Sequence, residues 1–205
     1  MNTRLSAVLL SSLAIFLCSS ANAQTTEPET VTLLPADDAI VQDGFVFPFD
    51  GFADVVEDGN HIAIQLISSE AGGFLILDSR SVLEFDLSSL AGRNVRQAFL
   101  KLRLTSYCPL DGSFVIPVEV RQYKGNGIVG LTDFHRGSFV TAFDMRSFTL
   151  SNLTGRVDIT KAVRNALSHQ WPYLGFTMRT NVSHACISFG SLEFPPSSSL
   201  VITLE

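Results

Sequence analysis

Hydrophobic and polar residues alternate with a period of two along much of this chain. The clearest instance runs from Arg80 to Leu90 and resumes from Ala98 to Leu104. Leu83, Phe85 and Leu87 share one face, with Val82, Glu84 and Asp86 on the other. Ala98, Leu100, Leu102 and Leu104 then alternate against Phe99, Lys101 and Arg103. Side chains two residues apart lie on one side of a strand, so this spacing predicts half-buried strands of an antiparallel sheet. Shorter runs of the same kind occupy Val31–Leu34, Ala39–Gln42, His61–Ser68, Gly73–Leu77 and Val115–Gln122. Others follow at Thr141–Leu150, Gly175–Arg179, Ala185–Phe189 and Leu200–Leu204. Turn residues separate them, as in Ala71-Gly-Gly73 and Lys124-Gly-Asn-Gly127, and Phe45–Gly59 has no clean period and reads as a loop. Many short strands punctuated in this way predict an all-β antiparallel β-sandwich, or jelly roll.

One segment breaks the period. Ile159, Val163 and Leu167 follow at i, i+4 and i+8 with Ala162 and Ala166 beside them, which predicts one short amphipathic helix. Asp158 or Thr160 would begin it, and Pro172 would help to end it.

The first residues set the expected compartment. Arg4, the apolar run Leu5–Leu17 and the small-residue site Ala21-Asn22-Ala23 form a secretory signal peptide, residues 1–23, too short in its apolar part for a membrane span. Leu17 before Cys18 does not suit lipid attachment, which wants a small residue there. The expected mature protein is soluble and secreted or periplasmic. Residues 24–30 form a flexible lead-in to a single domain over 31–205.

Charge is unevenly spread. Residues 24–79 carry eleven carboxylates and no Lys or Arg, whereas residues 80–205 carry thirteen Lys and Arg against nine Asp and Glu. A formal net charge of −6 argues against nucleic acid and against insertion into or binding to anionic membrane, since phosphate binding rests on clustered cations. Asp37, Asp38, Asp43, Asp50, Asp54, Glu57 and Asp58 offer hard oxygen ligands for a structural Ca²⁺; Asp37, Asp38, Asp43, Asp54 and Asp58 are the preferred set. A solvated acidic loop is the alternative. Cys108 and Cys186 are the two cysteines beyond the leader, and in an oxidising compartment they suit a disulfide; two small buried thiols are the other possibility.

Catalytic signatures are missing. His61, His135, His169 and His184 are scattered without ligand spacing, no Gly-x-Ser-x-Gly elbow occurs, and Asp133 with His135 is the nearest thing to an acid–base pair. The expectation is a protein that binds rather than catalyses. Asn152-Leu-Thr154 and Asn181-Val-Ser183 are glycan acceptor sequons in a eukaryotic secretory pathway.

Several blocks together resemble the DNRLRE, or disaggregatase-related, β-sandwich domains. These are Leu33-Leu-Pro-Ala-Asp-Asp-Ala-Ile-Val-Gln-Asp-Gly44, the Arg80–Leu90 block, the Ala-x-Leu-x-Leu strand from Ala98, Val157-Asp-Ile-Thr160 with Val163, and Ile187-Ser-Phe-Gly-Ser-Leu-Glu193 before Pro195-Pro196. The resemblance spans about residues 31–205. It implies a jelly-roll module of secreted and cell-surface proteins, some relatives of which bind carbohydrate beside polysaccharide-degrading enzymes. The family's Trp-containing segment is replaced here by Leu131-Thr-Asp-Phe-His135.

Polysaccharide is therefore the leading partner, and a protein partner on a surface or adhesive scaffold is the alternative. Sugar rings stack on aromatic faces while polar groups bond their hydroxyls. Tyr107, Tyr123, Trp171 and Tyr173 are the candidate platforms, with Lys101, Arg103 and Arg121 on outward strand positions. Such cations suit an acidic polymer, because Arg pairs carboxylates bidentately.

Overall fold

The computed structural model describes residues 27–44, 50–58, 61–68, 75–108, 116–144, 146, 148–149, 153–193 and 197–205. Residues 1–26, the expected turn at Ala71–Gly73 and Asn152 lie outside them. Among the described residues, thirteen strands make one curled antiparallel sheet. They are β1 (Thr30–Leu33), β2 (Asp37–Asp43), β3 (Val55–Glu57), β4 (His61–Ser68), β5 (Leu75–Asp86), β6 (Val95–Cys108), β7 (Val118–Lys124), β8 (Ser138–Phe143), β9 (Phe148–Thr149), β10 (Thr154–Asp158), β11 (Tyr173–Thr180), β12 (Ala185–Gly190) and β13 (Ser199–Leu204). One helix, α1 (Thr160–Ser168), and two 3₁₀ turns at Ser88–Leu90 and Leu131–His135 complete the described elements. The fold is all-β and sandwich-like with a single short helix, as the alternation predicts. Among the described residues no helix is long and apolar enough to cross a membrane.

The sheet folds into two layers because its two longest strands change neighbours along their length. From Val95 to Arg103, β6 pairs with β13 and β10; from Leu104 onward it pairs with β12. β5 pairs with β4 near its start, with β11 near its end, and with β2 alongside. The first layer thus holds β1, β13, β10, β9 and the first part of β6, and the second holds the rest. Strands that pass between layers in this way form the corners of a sandwich.

The core between the layers follows the predicted faces. Leu83, Phe85 and Leu87 meet Ala98, Leu100, Leu102 and Leu104, all buried, along with Ile62, Ile64, Phe176, Ile187, Phe189, Leu200 and Ile202. Phe143, Phe148 and Phe189 cluster with ring centroids 5.9–6.2 Å apart. Ala162, Val163 and Ala166 of α1 close this core from one end. The Asp158 carboxylate accepts the Thr160 N–H at 2.9 Å and orients the chain into the helix.

The opposite face of β5 departs from the expected pattern. Val82 and Glu84 are as buried as Leu83 and Phe85, so the strand is covered on both sides. A second small core of Ala39, Val41, Val82, Tyr123, Val129 and Phe134 lies there, roofed by residues 125–137. Three further elements also differ from expectation. β3 sits within the expected loop, β10 pairs where no strand was read, and Leu131–His135 forms a 3₁₀ turn inside the roof.

Close backbone approach explains several glycines. A Cβ on Gly175 would stand 2.2 Å from the Tyr123 ring, and one on Gly155 2.8 Å from Phe148. In each case an aromatic ring of the neighbouring strand lies over a glycine and fills the space that a side chain would take. Gly175→Ala is expected to force the Tyr123 ring away and destabilise the fold by about 1–3 kcal/mol, as overpacking does. Urea unfolding checks this, with a lowered midpoint at unchanged slope as the expected result.

Candidate functional site

The outer face of the second layer is closed by carboxylates. Register places Asp37, Glu84, Gly175 and Tyr123 in one row across β2, β5, β11 and β7. Glu84, with 0% of its surface exposed, accepts the Tyr123 O–H at 2.8 Å and the Asn126 and Gly127 N–H groups at 2.9 and 2.5 Å. Asp37 accepts the Val129 N–H at 2.7 Å. A buried carboxylate is tolerable only with several donors of this kind, and here the donors belong to the roof. Gly127 takes a positive φ of 89° and lies against the Tyr173 ring, which leaves no room for a side chain.

A second set of ties holds the rest of the roof. Arg80 donates to Asp78 and to the Phe134 carbonyl, and its guanidinium lies 3.7 Å over the Phe134 ring. Asp133 accepts the Gly130 N–H at 2.8 Å and pairs with Arg136 at 3.1 Å. Burial raises the Asp133 pKa despite both. The Thr177 hydroxyl donates to the Asp133 carbonyl at 3.3 Å, and Arg121 donates to the Gly137 carbonyl at 2.7 Å. His135 does not face the Asp133 carboxylate. Its Nε2 meets the Gly51 carbonyl and its ring contacts those of Phe134 and Phe52.

These ties place two of the sequence candidates. Tyr123 is only 5% exposed, so it is a buried hydrogen-bond donor to Glu84 and not an open sugar platform. Arg121 spends its guanidinium on Gly137 and lies 3.9 Å from Glu119, which Arg179 also pairs at 2.8 Å. The other aromatic candidates do not assemble either. Tyr173 is half-buried over Gly127, Trp171 lies against the main core with His169 6.1 Å away, and Tyr107 is partly buried at the same core.

The preferred calcium set does not converge. Asp37 faces the roof, Asp38 points to the other face of β2, and Asp43 stands six residues along, about 20 Å at strand rise. Asp54 accepts the Gly44 N–H at 3.0 Å, whereas Asp58 lies on the Asp38 side. Among the described residues no three His, Cys, Asp or Glu side chains gather where they could hold a metal ion.

The outer face of the first layer is open. Lys101 and Arg103 point outward from β6, and register sets Arg156 of β10 directly opposite Lys101. All three are exposed, and no ion pair is made by any of them among the described residues. The Arg156 guanidinium lies 4.3 Å over the Phe99 ring, one position along the same face. Ser199 flanks Lys101, Val201 flanks Phe99, and Thr154 stands opposite Arg103. Like charges directly opposite each other destabilise a strand pair, so the Lys101–Arg156 juxtaposition is unfavourable to the fold, and the Arg156–Phe99 contact offsets part of that cost. Sequence reasoning found Lys101 and Arg103 but missed Arg156. Its signal was the alternation Gly155, Val157 inward against Arg156, Asp158 outward, in a stretch read only as the approach to a helix.

Neither family models nor curated proteins give a match to this chain.

Asp38 makes the fold's stability depend on pH. It is 2% exposed, accepts the Leu192 N–H at 2.8 Å with one oxygen, and leaves the other buried without a partner. Burial, and then the neighbouring Glu193 charge, push its pKa up to about 7 from 3.8. The folded state therefore holds a proton that the unfolded state releases between those values, and stability falls as pH rises from about 4 to about 7. Asp43 and Asp133, both raised by burial, act in the same direction. Asp38→Asn is expected to gain on the parent over that interval by on the order of 2–4 kcal/mol at pH 8. Denaturant unfolding at a series of pH values checks it; parallel curves for the two proteins would refute it.

Proposed function

We propose that this chain is an exported, non-catalytic binding module that recognises an anionic extracellular or cell-wall polysaccharide through the outer face of its first layer. The observation that carries this reading is the exposed Lys101, Arg103 and Arg156 group, unpaired among the described residues, on a strand surface beside Phe99. Strand spacing sets these cations about 4.8 Å apart across the sheet and about 6.7 Å apart along it. A grid of that kind suits repeated carboxylates on a linear polymer better than one small anion. Arg103 would pair a carboxylate bidentately, Lys101 would act as a point charge, and Arg156 would be steadied by its ring contact. The resemblance to DNRLRE domains and the leader at residues 1–23 support export and the carbohydrate class.

A disulfide between Cys108 and Cys186 belongs with export. The β6–β12 register sets Cys108 directly opposite Cys186, which brings the two backbones within reach of such a bridge. Closing that loop would stabilise the fold by about 4.5 kcal/mol on the chain-entropy account. Peptide mapping without reductant is expected to recover the 108- and 186-containing peptides as one linked species.

The alternative is a surface protein with a protein partner. β8 ends the sheet order without a further neighbour among the described residues, and it exposes Phe139. An open strand edge can template pairing with another chain.

Binding of the full chain to alginate and pectin, with cellulose as the neutral control, separates the two. Saturable binding to an acidic polymer is expected, weakening as salt rises from about 0.05 to about 0.5 M because exposed charges are screened. Lys101→Glu with Arg156→Glu is expected to reduce affinity at least about tenfold, or 1.4 kcal/mol, without loss of fold. Equal binding by that double variant would overturn the assignment of the face.

A further inference from the structure

A pocket of about 460 Å³ opens at the start of β6, between residues 92–95 and the last turns of α1, and it shares no residue with the Lys101–Arg156 face. Arg164, Leu167 and Ser168 form its helix wall; three and four residues apart, they project from one side of α1. Arg93, Asn94 and Glu205 also line it. Leu167 is half-buried and the other five are exposed, so each can meet a ligand. A register slip between Thr203 and Leu204 leaves Arg96 as an extra residue in β6. There Arg164 donates Nε and Nη2 to the Val95 and Arg96 carbonyls, both at 2.8 Å, which fixes its guanidinium in place.

Cations run from the first-layer face to this pocket. Seven of the thirteen Lys and Arg of residues 80–205 stand on β6, β10 and α1 or just before β6. Besides the three already described, these are Arg93, Arg96, Lys161 and Arg164. Of the seven, only Arg93 makes an ion pair among the described residues, with exposed Glu29. Gln97 and Thr203, opposite each other in register, lie between the pocket and Phe99. A positive strip that ends in a pocket attracts a linear polyanion and gives its end a place to lodge.

We infer that this pocket holds the acidic terminal unit of a polysaccharide laid along β6. The inference rests on the polysaccharide reading above and adds the direction of the chain and a separate site for its end. A fixed, planar guanidinium suits a carboxylate, and Arg93 brings a second cation. The Asn94 amide both donates and accepts. The Ser168 hydroxyl gives its proton to the Asn165 carbonyl and still accepts, and the Glu205 carboxylate accepts from sugar hydroxyls. Leu167 offers a surface to the apolar side of a pyranose. Glu205 also repels an anion of higher charge, so a uronate suits the pocket better than phosphate does. The volume falls within the roughly 300–1,000 Å³ that small-ligand sites occupy. From Val95 to Lys101 the strand rises about 20 Å, so a single sugar reaches only the pocket and an oligomer reaches both sites.

The test titrates the full chain with D-galacturonate, D-glucuronate and D-mannuronate, then with oligouronates of increasing length, and follows the amides of residues 92–95 and 164–168 by NMR. D-galactose and inorganic phosphate are the controls. Saturable binding of a uronate is expected, with shifts at those amides. It should weaken at least about tenfold in Arg93→Gln and in Arg164→Lys, which keeps the charge but loses the planar fork. Arg93→Gln removes only an exposed ion pair, so its unfolding midpoint should match the parent's, which separates loss of a ligand contact from loss of fold. Lys101→Glu with Arg156→Glu should leave the single uronate bound and remove the affinity that longer oligomers gain. Equal binding of galactose or phosphate, or uronate binding unchanged in both pocket variants, would overturn the inference. Polymer bound through the first layer with no uronate in the pocket would overturn the pocket alone. Uronate in the pocket with no added affinity for any oligomer or polymer would overturn the first-layer reading and the chain direction. Failure of polymer and uronate alike would overturn both readings.

Discussion

A carboxylate buried in the middle of a strand that is covered on both sides must find its donors within the protein, and Glu84 finds three. The Tyr123 hydroxyl comes from a neighbouring strand, and the Asn126 and Gly127 N–H groups come from the segment that crosses above. Much of the second layer follows from that requirement. Gly125 must lack a side chain, because a Cβ there would stand 2.6 Å from the Glu84 carboxylate. Gly175 must lack one so that the Tyr123 ring can lie flat enough to reach. With residues 125–130 held in place, Asp37, Arg80 and Arg121 secure the remainder of the roof, and Val82, Val129 and Phe134 become core. The second layer is left with a polar but occupied outer face, and the first layer keeps the open one.

Charge segregation along the chain takes on meaning in this arrangement. The acidic early residues supply Asp37 to the roof and Asp38 and Asp43 to buried positions, where burial holds the latter two above the usual carboxylate range. The later residues supply the outward cations of β6 and β10. Acids that cluster in the sequence are thus spread along β2 and onto both its faces, whereas cations scattered over fifty residues come together on one face.

Alternation exposed most of the fold because burial between two layers imposes a strict period of two. Leu83, Phe85, Leu100 and Leu102 lie where that period puts them, and α1 follows from Ile159, Val163 and Ala166. The same rule misled at Glu84 and Tyr123. A polar residue in an alternating strand reads as exposed, and no local pattern announces that a segment forty residues away will cover it. Arg156 was hidden for a different reason. β10 is five residues long and contains Gly155, whose missing side chain is made good by the Phe148 ring, so its local strand preference is weak and its pairing with β6 decides its structure.

Hydrogen–deuterium exchange on the full chain, with and without an acidic polysaccharide such as alginate, tests this account most directly. The Asn126, Gly127 and Val129 amides should be protected in the free protein and unchanged by the polymer, while β6 and β10 gain protection when it binds. Rapid exchange of residues 125–130 in the free protein, or polymer-induced protection concentrated on residues 125–137, would contradict the claim that carboxylates close one face and leave the other for the ligand.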